Sequence, residues 1–397
     1  MRNSIPLTAV ALVAAWVSTP ADAQNWEFSP KLQLGYEYND NYRLDFAGQE
    51  IEVSGALMDV TLPLRLIDPV VKAEIAPRVR ATYFPNERDQ DSTDYFLRGL
   101  LERRTQRHIA GISGYFSRED VVRSELPPPD IDEGIDGDLG DIETGDAGRV
   151  LFRNERDFIQ VKPYWNYDVT QRTRTELGGY FIDASYERNF EGFQQDYRDY
   201  GVDVGWAFRV SPRSRLALRG LASRYETTFD AEGYGAEVEW RTDYSETTQV
   251  YARLGAQRTD LKRANGEAQN SFVGGIGGNW TWPTTKIFLD LTRRVGPSAA
   301  GAIVERNQLR FKLSRAIQPR LSFLSGVRAS YDEGLDSPTF QKREYVSAEV
   351  GFDWRMTRKW SLVGLYHYIW QEYSHEPADT SSNAISVGIV YEPGRGE

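Results

Sequence analysis

The sequence predicts an all-β fold: a transmembrane antiparallel up-and-down β-barrel of about 18 strands, with short periplasmic turns and longer extracellular loops. Two observations indicate it. Segments roughly ten residues long recur from Phe28 to Tyr391, and in each of them apolar side chains alternate with polar ones. The connections between these segments alternate between short and long, as they do at the two ends of an outer-membrane barrel.

Residues 1–23 are predicted to be a signal peptide that precedes the fold. Arg2 supplies a positive charge, 7–17 form a short apolar stretch, and Ala21-Asp22-Ala23 offers a small-x-small cleavage site. The rest of the chain, 24–397, is interpreted as one outer-membrane β-barrel domain without cysteine. We therefore expect an exported protein in the outer membrane of a Gram-negative bacterium.

The alternation also defines the individual strands. In 71–83, for example, Val71, Ala73 and Ile75 share one face while Lys72 and Glu74 share the other. The same criterion predicts strands at 31–38, 51–66, 71–83, 94–103, 108–116, 157–169, 175–186, 197–210, 215–225, 233–243, 249–259, 271–282, 286–294, 307–316, 320–331, 343–355, 360–371 and 384–391. A soluble β-sandwich would instead have strands of about five or six residues and loops without a two-sided length bias.

The short connections contain turn residues, as in Asp68-Pro69 and Gln318-Pro319, and we assign them to the periplasm. Because the predicted number of strands is even, both termini are expected on the periplasmic side. Aromatic residues are frequent at strand ends, which fits girdles at the two membrane interfaces.

The longest connection, at about 118–155, is strongly acidic and is predicted to be extracellular. Between Arg118 and Arg153 there are eleven acids and four bases, a net −7 of the −11 carried by the whole chain. Such a run indicates a solvated loop, or one that folds inward and gates the pore. The candidate gating residues are Asp130, Asp132, Glu133, Asp136, Asp138 and Asp141. Ca²⁺ binding by the last three is the weaker alternative because their spacing matches no EF-hand loop, and no metal site is predicted.

The polar face of the strands is expected to line a water-filled lumen, because about 16 to 18 strands enclose an aqueous channel. The candidate lumen and selectivity residues are Lys72, Arg78, Arg80, Arg98, Lys162, Arg215, Arg219, Arg253, Arg310, Lys312 and Arg328. Two interpretations remain open. These cations pair with acids on neighbouring strands and brace the wall, or they form a ladder for anionic solutes.

Enzymatic chemistry is not expected. The three histidines, His108, His367 and His375, are scattered, and no Ser or acidic residue near them in the sequence suggests a catalytic group. The prediction is therefore a protein that is not an enzyme, has no cofactor and binds no nucleic acid.

Three segments resemble a known family. They are Trp26-Glu27-Phe28-Ser29-Pro30-Lys31-Leu32, then Gly35-Tyr36-Glu37-Tyr38-Asn39-Asp40-Asn41-Tyr42, and the closing Ser386-Val387-Gly388-Ile389-Val390-Tyr391. With them the chain resembles the β-barrel porin 2 family over essentially its whole mature length. The resemblance implies an outer-membrane porin. Some similar barrels accompany exopolysaccharide gene clusters, where they serve as the export portal above a periplasmic polysaccharide-export protein.

The leading hypothesis from sequence is thus an outer-membrane portal for exopolysaccharide export. Its expected partners are outer-membrane lipid, a polysaccharide chain and a periplasmic polysaccharide-export protein. The alternatives are an uptake porin for small anionic solutes and a sealed structural or adhesive barrel.

Overall fold

The computed structural model describes residues 26–122, 150, 153–190, 194–228, 230–262, 268–335, 342–374 and 378–393. Its strands are β1 (Trp26–Phe28), β2 (Lys31–Asn39), β3 (Val53–Thr61), β4 (Leu64–Ile67), β5 (Val71–Tyr83), β6 (Ser92–Arg104), β7 (His108–Asp120), β8 (Glu155–Asp168), β9 (Thr173–Tyr186), β10 (Tyr197–Arg209), β11 (Ser214–Glu226), β12 (Ala231–Ser245), β13 (Thr248–Leu261), β14 (Ala268–Trp282), β15 (Thr285–Pro297), β16 (Ile303–Gln318), β17 (Leu321–Gly334), β18 (Arg343–Arg355), β19 (Trp360–Tyr373) and β20 (Thr380–Tyr391). One turn of 3-10 helix, Arg88–Gln90, lies between β5 and β6. Within this described part, no helix is long and apolar enough to span a membrane. The predicted signal peptide lies outside it.

The sheet closes on itself. From β5 onward each strand pairs antiparallel with the next, and β20 pairs with β2. A break at Ser29-Pro30 divides one barrel strand into β1 and β2, and a break at Leu62-Pro63 divides its neighbour into β3 and β4. The two breaks lie side by side, and both contain a proline, which lacks the N–H that a ladder needs. Counted in this way the barrel has 18 strands, so the predicted fold and strand number are confirmed.

Side chains alternate between an apolar outer face and a polar inner face. On the outer face, Val204, Leu254 and Ile276 are 56%, 61% and 59% exposed. Residues directly opposite each other in an antiparallel pair share a face, and the register places Asp203 opposite Leu221 on the inner side. A barrel with its apolar residues outside needs a hydrocarbon surrounding rather than water.

Aromatic residues form a band at each end of this outer face. At the end with the short turns the band consists of exposed tryptophans, namely Trp165, Trp206, Trp240, Trp282, Trp354 and Trp360. At the other end it consists of exposed tyrosines, including Tyr36, Tyr83, Tyr95 and Tyr234. Such girdles mark the two interfaces of a bilayer.

Closure and the apolar exterior together define the location of the protein. In a closed barrel every backbone group inside the hydrocarbon has a partner on a neighbouring strand, which is the condition for crossing a bilayer with strands. The protein is therefore an outer-membrane β-barrel of a Gram-negative bacterium. Its short turns face the periplasm, and β1 begins and β20 ends on that side.

Some strands extend further at the extracellular end than the alternation predicted. β15 covers Thr285–Pro297 rather than 286–294, and β16 covers Ile303–Gln318 rather than 307–316. Outward residues at this height are polar, as shown by the ion pair between Arg293 and Glu305. Because they face headgroups or water rather than hydrocarbon, the apolar/polar alternation ends before the strands do.

The assignment of faces predicts the effect of a charge on each side. We expect Val204→Arg to destabilise the barrel by about 2–4 kcal/mol, because it places a guanidinium in the hydrocarbon. Leu221→Arg is the matched control, since its side chain lies in the lumen directly opposite Asp203. Urea unfolding in lipid vesicles measures both variants. Equal losses of stability would contradict the assignment.

Candidate functional site

All eleven basic residues predicted for the lumen lie on the inner face. The register links them from strand to strand, for example Arg219 opposite Glu237, and Arg310 opposite Arg328. The outer face between them carries exposed apolar residues such as Leu218. They are therefore part of the lumen wall, and their role in selectivity remains a prediction.

Four of these cations brace the wall at two carboxylate groups. Arg78 and Arg80, on β5, both bind Asp59 on β3, at 2.6 Å and 3.0 Å between the nearest nitrogen and oxygen. On β11, Arg215 and Arg219 each lie 2.9 Å from a carboxylate oxygen of Glu176 on β9. Arg219 also binds Glu239 of β12 at 2.8 Å. At these positions the bracing interpretation describes the observed contacts.

Arg310 is neutralised in the same way. Its Nη2 lies 2.7 Å from Oδ1 of Asp290 on the adjacent strand β15, and the Tyr251 hydroxyl donates a hydrogen bond to the same carboxylate. The Arg310 guanidinium is also stacked near the Phe288 ring, 5.6 Å from its centroid. These contacts fix the guanidinium against the wall.

Two of the predicted cations differ. Within the described residues, Arg253 and Arg328 form no ion pair with a carboxylate. The guanidinium of Arg328 lies 5.6 Å from the centre of the Tyr345 ring, a cation–π contact that orients the charge without neutralising it. The remaining four, Lys72, Arg98, Lys162 and Lys312, take part in other contacts of the wall.

Strands β15 to β18 concentrate positive charge on their inner face. The register forms four successive rows of residues there, each with one residue from every strand in the order β15, β16, β17, β18. From the extracellular end, the first row is Arg294, Arg306, Asp332 and Arg343, and the second is Thr292, Gln308, Ser330 and Tyr345. The third row is Asp290, Arg310, Arg328 and Ser347, and the fourth is Phe288, Lys312, Gly326 and Glu349. These rows contain the six cations Arg294, Arg306, Arg310, Lys312, Arg328 and Arg343, but only the three carboxylates of Asp290, Asp332 and Glu349. We call the six cations the basic strip.

Sequence reasoning missed three members of this strip. Arg294 and Arg306 lie at or beyond the predicted strand ends, and Arg343 is the first residue of its strand. A signal was present, because Arg294 has the same alternation phase as Asp290, and Arg306 has that of Arg310. To use this signal, the predicted strands had to be extended above the membrane.

The extracellular end of the lumen is packed by an apolar cluster, which we call the mouth cluster. Its buried residues come from widely separated strands and from several extracellular connections, and they are Tyr42, Leu44, Val53, Phe84, Val121, Val122, Val150, Phe158, Ala184, Tyr186, Tyr197, Ala299, Tyr345 and Ile369. Because Tyr345 and Phe158 belong to strands that are eight positions apart by the shorter way around the closed order of 18, the cluster reaches across the mouth. A solute must pass through or beside it.

Arg43, on the β2–β3 connection, joins this connection to the β5–β6 connection and to the extracellular end of β7. Its Nη1 and Nη2 each lie 2.9 Å from a different oxygen of Asp120, and its Nε donates to Gln90 at 2.7 Å. The backbone N–H of Asp120 in turn donates to Asp94, and that of Val122 donates back to Asp120. The pair between Arg43 and Asp120 is almost completely buried. It anchors the β2–β3 connection inside the barrel.

The segment that carried the family resemblance builds the seam of the barrel. Both oxygens of the Asp40 carboxylate accept hydrogen bonds from Asn383, one from its backbone N–H and one from its side chain, each at 2.7 Å. Asn39 accepts a hydrogen bond from the Ser382 hydroxyl at 2.8 Å. The first and last barrel strands are thus joined by side chains above their ladder.

The predicted acidic gate, Asp130, Asp132, Glu133, Asp136, Asp138 and Asp141, lies outside the described residues. The described narrowing of the mouth comes from the β2–β3 connection, from both ends of the β7–β8 connection and from the β15–β16 connection. No cluster of three or more metal-binding side chains occurs among the residues that the structure describes.

One contact was invisible in the sequence. Pairing of β18 with β19 brings Ser347 Oγ within 2.9 Å of His367 Nε2, and both residues are buried in the inner wall. Glu349 is directly opposite His367 in the register, but their side chains form no hydrogen bond in the described contacts. Ser347 and His367 therefore form a polar contact of the wall without an orienting carboxylate.

Comparisons with solved structures find outer membrane proteins at low similarity. The chain is similar to the Pseudomonas aeruginosa outer membrane protein OpdK, with a TM-score of 0.46 and 10% identity over 92% of this chain and 99% of that one. It is also similar to Pseudomonas aeruginosa OccK2 (OpdF), solved in complex with glucuronate, with a TM-score of 0.47 and 11% identity over 93% and 98% of the two chains. No family model and no curated protein matches the chain. At these similarities the likeness carries no argument about function, and the β-barrel porin 2 assignment remains a resemblance.

The buried pair at the mouth predicts a local loss of structure when one partner is removed. Arg43→Met leaves the Asp120 carboxylate buried without its cation, which typically costs about 3–5 kcal/mol. We expect the β2–β3 connection to leave the mouth and to become sensitive to added protease while the barrel stays folded. Limited proteolysis of intact barrels measures this. The double variant R43M with Asp120→Leu should recover much of the resistance, because no charge is then left buried. A single variant as resistant as the parent would contradict the anchoring role.

Proposed function

We propose that this protein is an outer-membrane porin for the uptake of small anionic solutes. The observation that carries the proposal is the basic strip, in which six cations face three carboxylates on the inner face of four adjacent strands. Charged side chains that line a narrow pore determine which sign of ion passes. An excess of guanidinium groups favours carboxylate or phosphate solutes, which accept their paired N–H donors.

Arg328 supports a role beyond bracing. A wall built for stability alone would pair each cation, because an uncompensated charge removed from water is costly. Arg310 meets this condition through Asp290, whereas Arg328 is held by the Tyr345 ring and has no carboxylate partner among the described residues. Its charge is available to a passing anion.

The packed mouth favours small solutes over a polymer. The mouth cluster and the Arg43–Asp120 pair are buried, so the free cross-section at that height is restricted. A polysaccharide chain would have to keep these connections displaced during its whole passage. For this reason we prefer uptake to the exopolysaccharide export that the family resemblance implies. The proposal requires neither an enzymatic step nor a cofactor nor a periplasmic partner.

Arg328→Gln tests the role of the strip in selectivity. We expect the variant to shift the reversal potential in a KCl gradient toward that of a cation-selective pore, because one unneutralised positive charge is lost. Planar-bilayer recordings measure the shift. The matched control is Arg258→Gln, which removes the same charge from the outer face, where Arg258 is paired with Asp260. Asp290→Asn should shift the potential in the opposite direction, since it frees Arg310. A parent barrel that passes no current would instead indicate a sealed structural barrel, and an unchanged R328Q potential would remove the strip from selectivity.

Deletion of the gene separates uptake from export. We expect the deletion strain to grow poorly when a small organic acid at limiting concentration is the sole carbon source, or when phosphate at limiting concentration is the sole phosphorus source. The amount of extracellular polysaccharide should be unchanged. Re-expression of the parent should restore growth, and re-expression of R328Q should restore it only in part. Normal growth combined with a loss of secreted polysaccharide would favour export and overturn the uptake proposal.

A further inference from the structure

The β15–β16 connection leaves the barrel wall on one side. Among the described residues, the ladder between β14 and β15 ends at Gly274 and Arg293, whereas the ladder between β15 and β16 continues to Pro297 and Ile303. Residues 294–306 therefore form a hairpin that is detached from β14 but still attached to β17 through β16. We call it the inner hairpin.

Alternation phase shows that this hairpin lies inside the barrel. Val295 continues the outward phase of Leu289 and Leu291, which are exposed to lipid, yet Val295 itself is buried. It packs in a cluster with Tyr225 and Val273, which belong to the inward phase of β11 and β14. The outer surface of the hairpin thus rests on the inner surface of the neighbouring wall.

The tip of the hairpin is held by contacts with two other extracellular connections. The backbone N–H of Gln195 donates to the Ala299 carbonyl at 2.7 Å, and the Thr227 hydroxyl donates to the Gly301 carbonyl at 3.0 Å. Gly301 adopts a φ of +80° and would bring a Cβ within 2.4 Å of Thr228 Oγ1, so this approach requires a glycine. Ala299 joins the mouth cluster. The inner hairpin therefore contributes to the narrowing of the mouth.

The strand that the hairpin leaves keeps a free edge in matching register. Extending the observed pair Gly274–Arg293 by two and three residues would place Val295 opposite Phe272 and Gly296 opposite Ser271. In the present arrangement, Arg293 Nε donates to the Phe272 carbonyl at 3.2 Å, so a side chain occupies part of the edge that a strand could use. This edge is a second position into which the hairpin fits without a change of register.

The height of the free edge makes such movement permissible. Nine residue pairs, from Gly274–Arg293 to Trp282–Thr285, remain joined below it, and about 9–11 residues suffice for a strand to cross the hydrocarbon. The unpaired part of β14 consequently lies at or above the headgroups, where water can satisfy its backbone groups. Below that level, separating β15 from β14 would leave unpaired backbone groups in hydrocarbon, which the bilayer does not permit.

We propose that the inner hairpin is a gate with two positions. In the closed position, seen here, it lies against β11 and the β9–β10 and β11–β12 connections. In the open position it completes the ladder along residues 270–273 of β14, widens the mouth and brings Arg294 beside β14 in the wall. The proposal extends the porin function, because a gate regulates flux through that pore.

A disulfide between the hairpin tip and its neighbour should lock the closed position. A Cβ at Gly301 would lie 3.4 Å from that of Thr228, close to the separation of about 3.5–4.5 Å found in disulfides. The chain contains no cysteine, so Thr228→Cys with Gly301→Cys introduces a single possible bond. Thr228→Cys also removes the hydroxyl that a Cβ at position 301 would meet. Because a side chain is strained at the φ of +80°, the reduced double variant is compared with the parent as well. We expect oxidised barrels to lose the larger-conductance state in planar bilayers and to regain it on reduction. The same molecules before and after reduction are the control, and identical recordings would overturn the proposal.

A second pair of cysteines should trap the open position. Phe272→Cys with Val295→Cys places thiols on opposite sides of the wall in the closed position and side by side in the open one. Ser271→Cys with Gly296→Cys tests the adjacent pair, because neighbouring antiparallel pairs alternate between wide and close spacing. Ile276→Cys with Leu291→Cys, at partners already paired in the wall, is the positive control.

We expect at least one trap pair to oxidise and to show sustained larger conductance. If both trap pairs stay reduced while the control pair oxidises, the second position is not visited and the gate is wrong. Disulfide formation is read on denaturing gels of folded barrels and needs no ion flux. A failure of the gate is therefore distinguishable from a barrel that does not conduct.

Discussion

Everything in this molecule depends on the rule that a backbone group inside hydrocarbon must have a partner in the protein. An open sheet of strands would leave two unpaired edges in lipid, so the first barrel strand must meet the last. Here β2 meets β20 in register from Leu32–Tyr391 to Asn39–Ala384, and Asp40 and Asn383 continue the junction with side-chain hydrogen bonds. The seam thus extends above the membrane, where water competes with backbone pairing and side chains add the missing specificity.

Because the sheet is closed, its inner face can be polar. The charges on this face occur in two arrangements, one fully paired and one not. Where cations of one strand meet acids of nearby strands, as Arg219 of β11 meets Glu176 of β9 and Glu239 of β12, the wall gains charge-assisted hydrogen bonds in a region of low dielectric. On β15 to β18 the same arrangement is left incomplete. Cations outnumber carboxylates in these rows, and Arg328 lies against the Tyr345 ring rather than against an acid.

The fold was largely predictable from sequence because membrane strands obey a local rule. Leu289 and Leu291 alternate with Asp290 and Thr292 as the bilayer requires, so each strand can be recognised from its own residues alone. The site was less predictable because it depends on which strands are adjacent and on what happens above the membrane. Arg43 finds Asp120, 77 positions away, through connections without periodicity, and Ser347 meets His367 only through the register of β18 and β19. No local pattern encodes such contacts.

The inner hairpin shows where the backbone rule ceases to apply. In the hydrocarbon the pairs between β14 and β15 are obligatory, since an unpaired group there would cost several kcal/mol, on the order of the marginal stability of a whole domain. One residue further out, water can replace a lost ladder bond at little cost. There, burial of Val295 against Tyr225 takes the place of a completed ladder with β14. A pore wall that must stay closed in lipid can therefore carry a movable element at its rim, and the point at which the ladder ends marks the boundary between the two regimes.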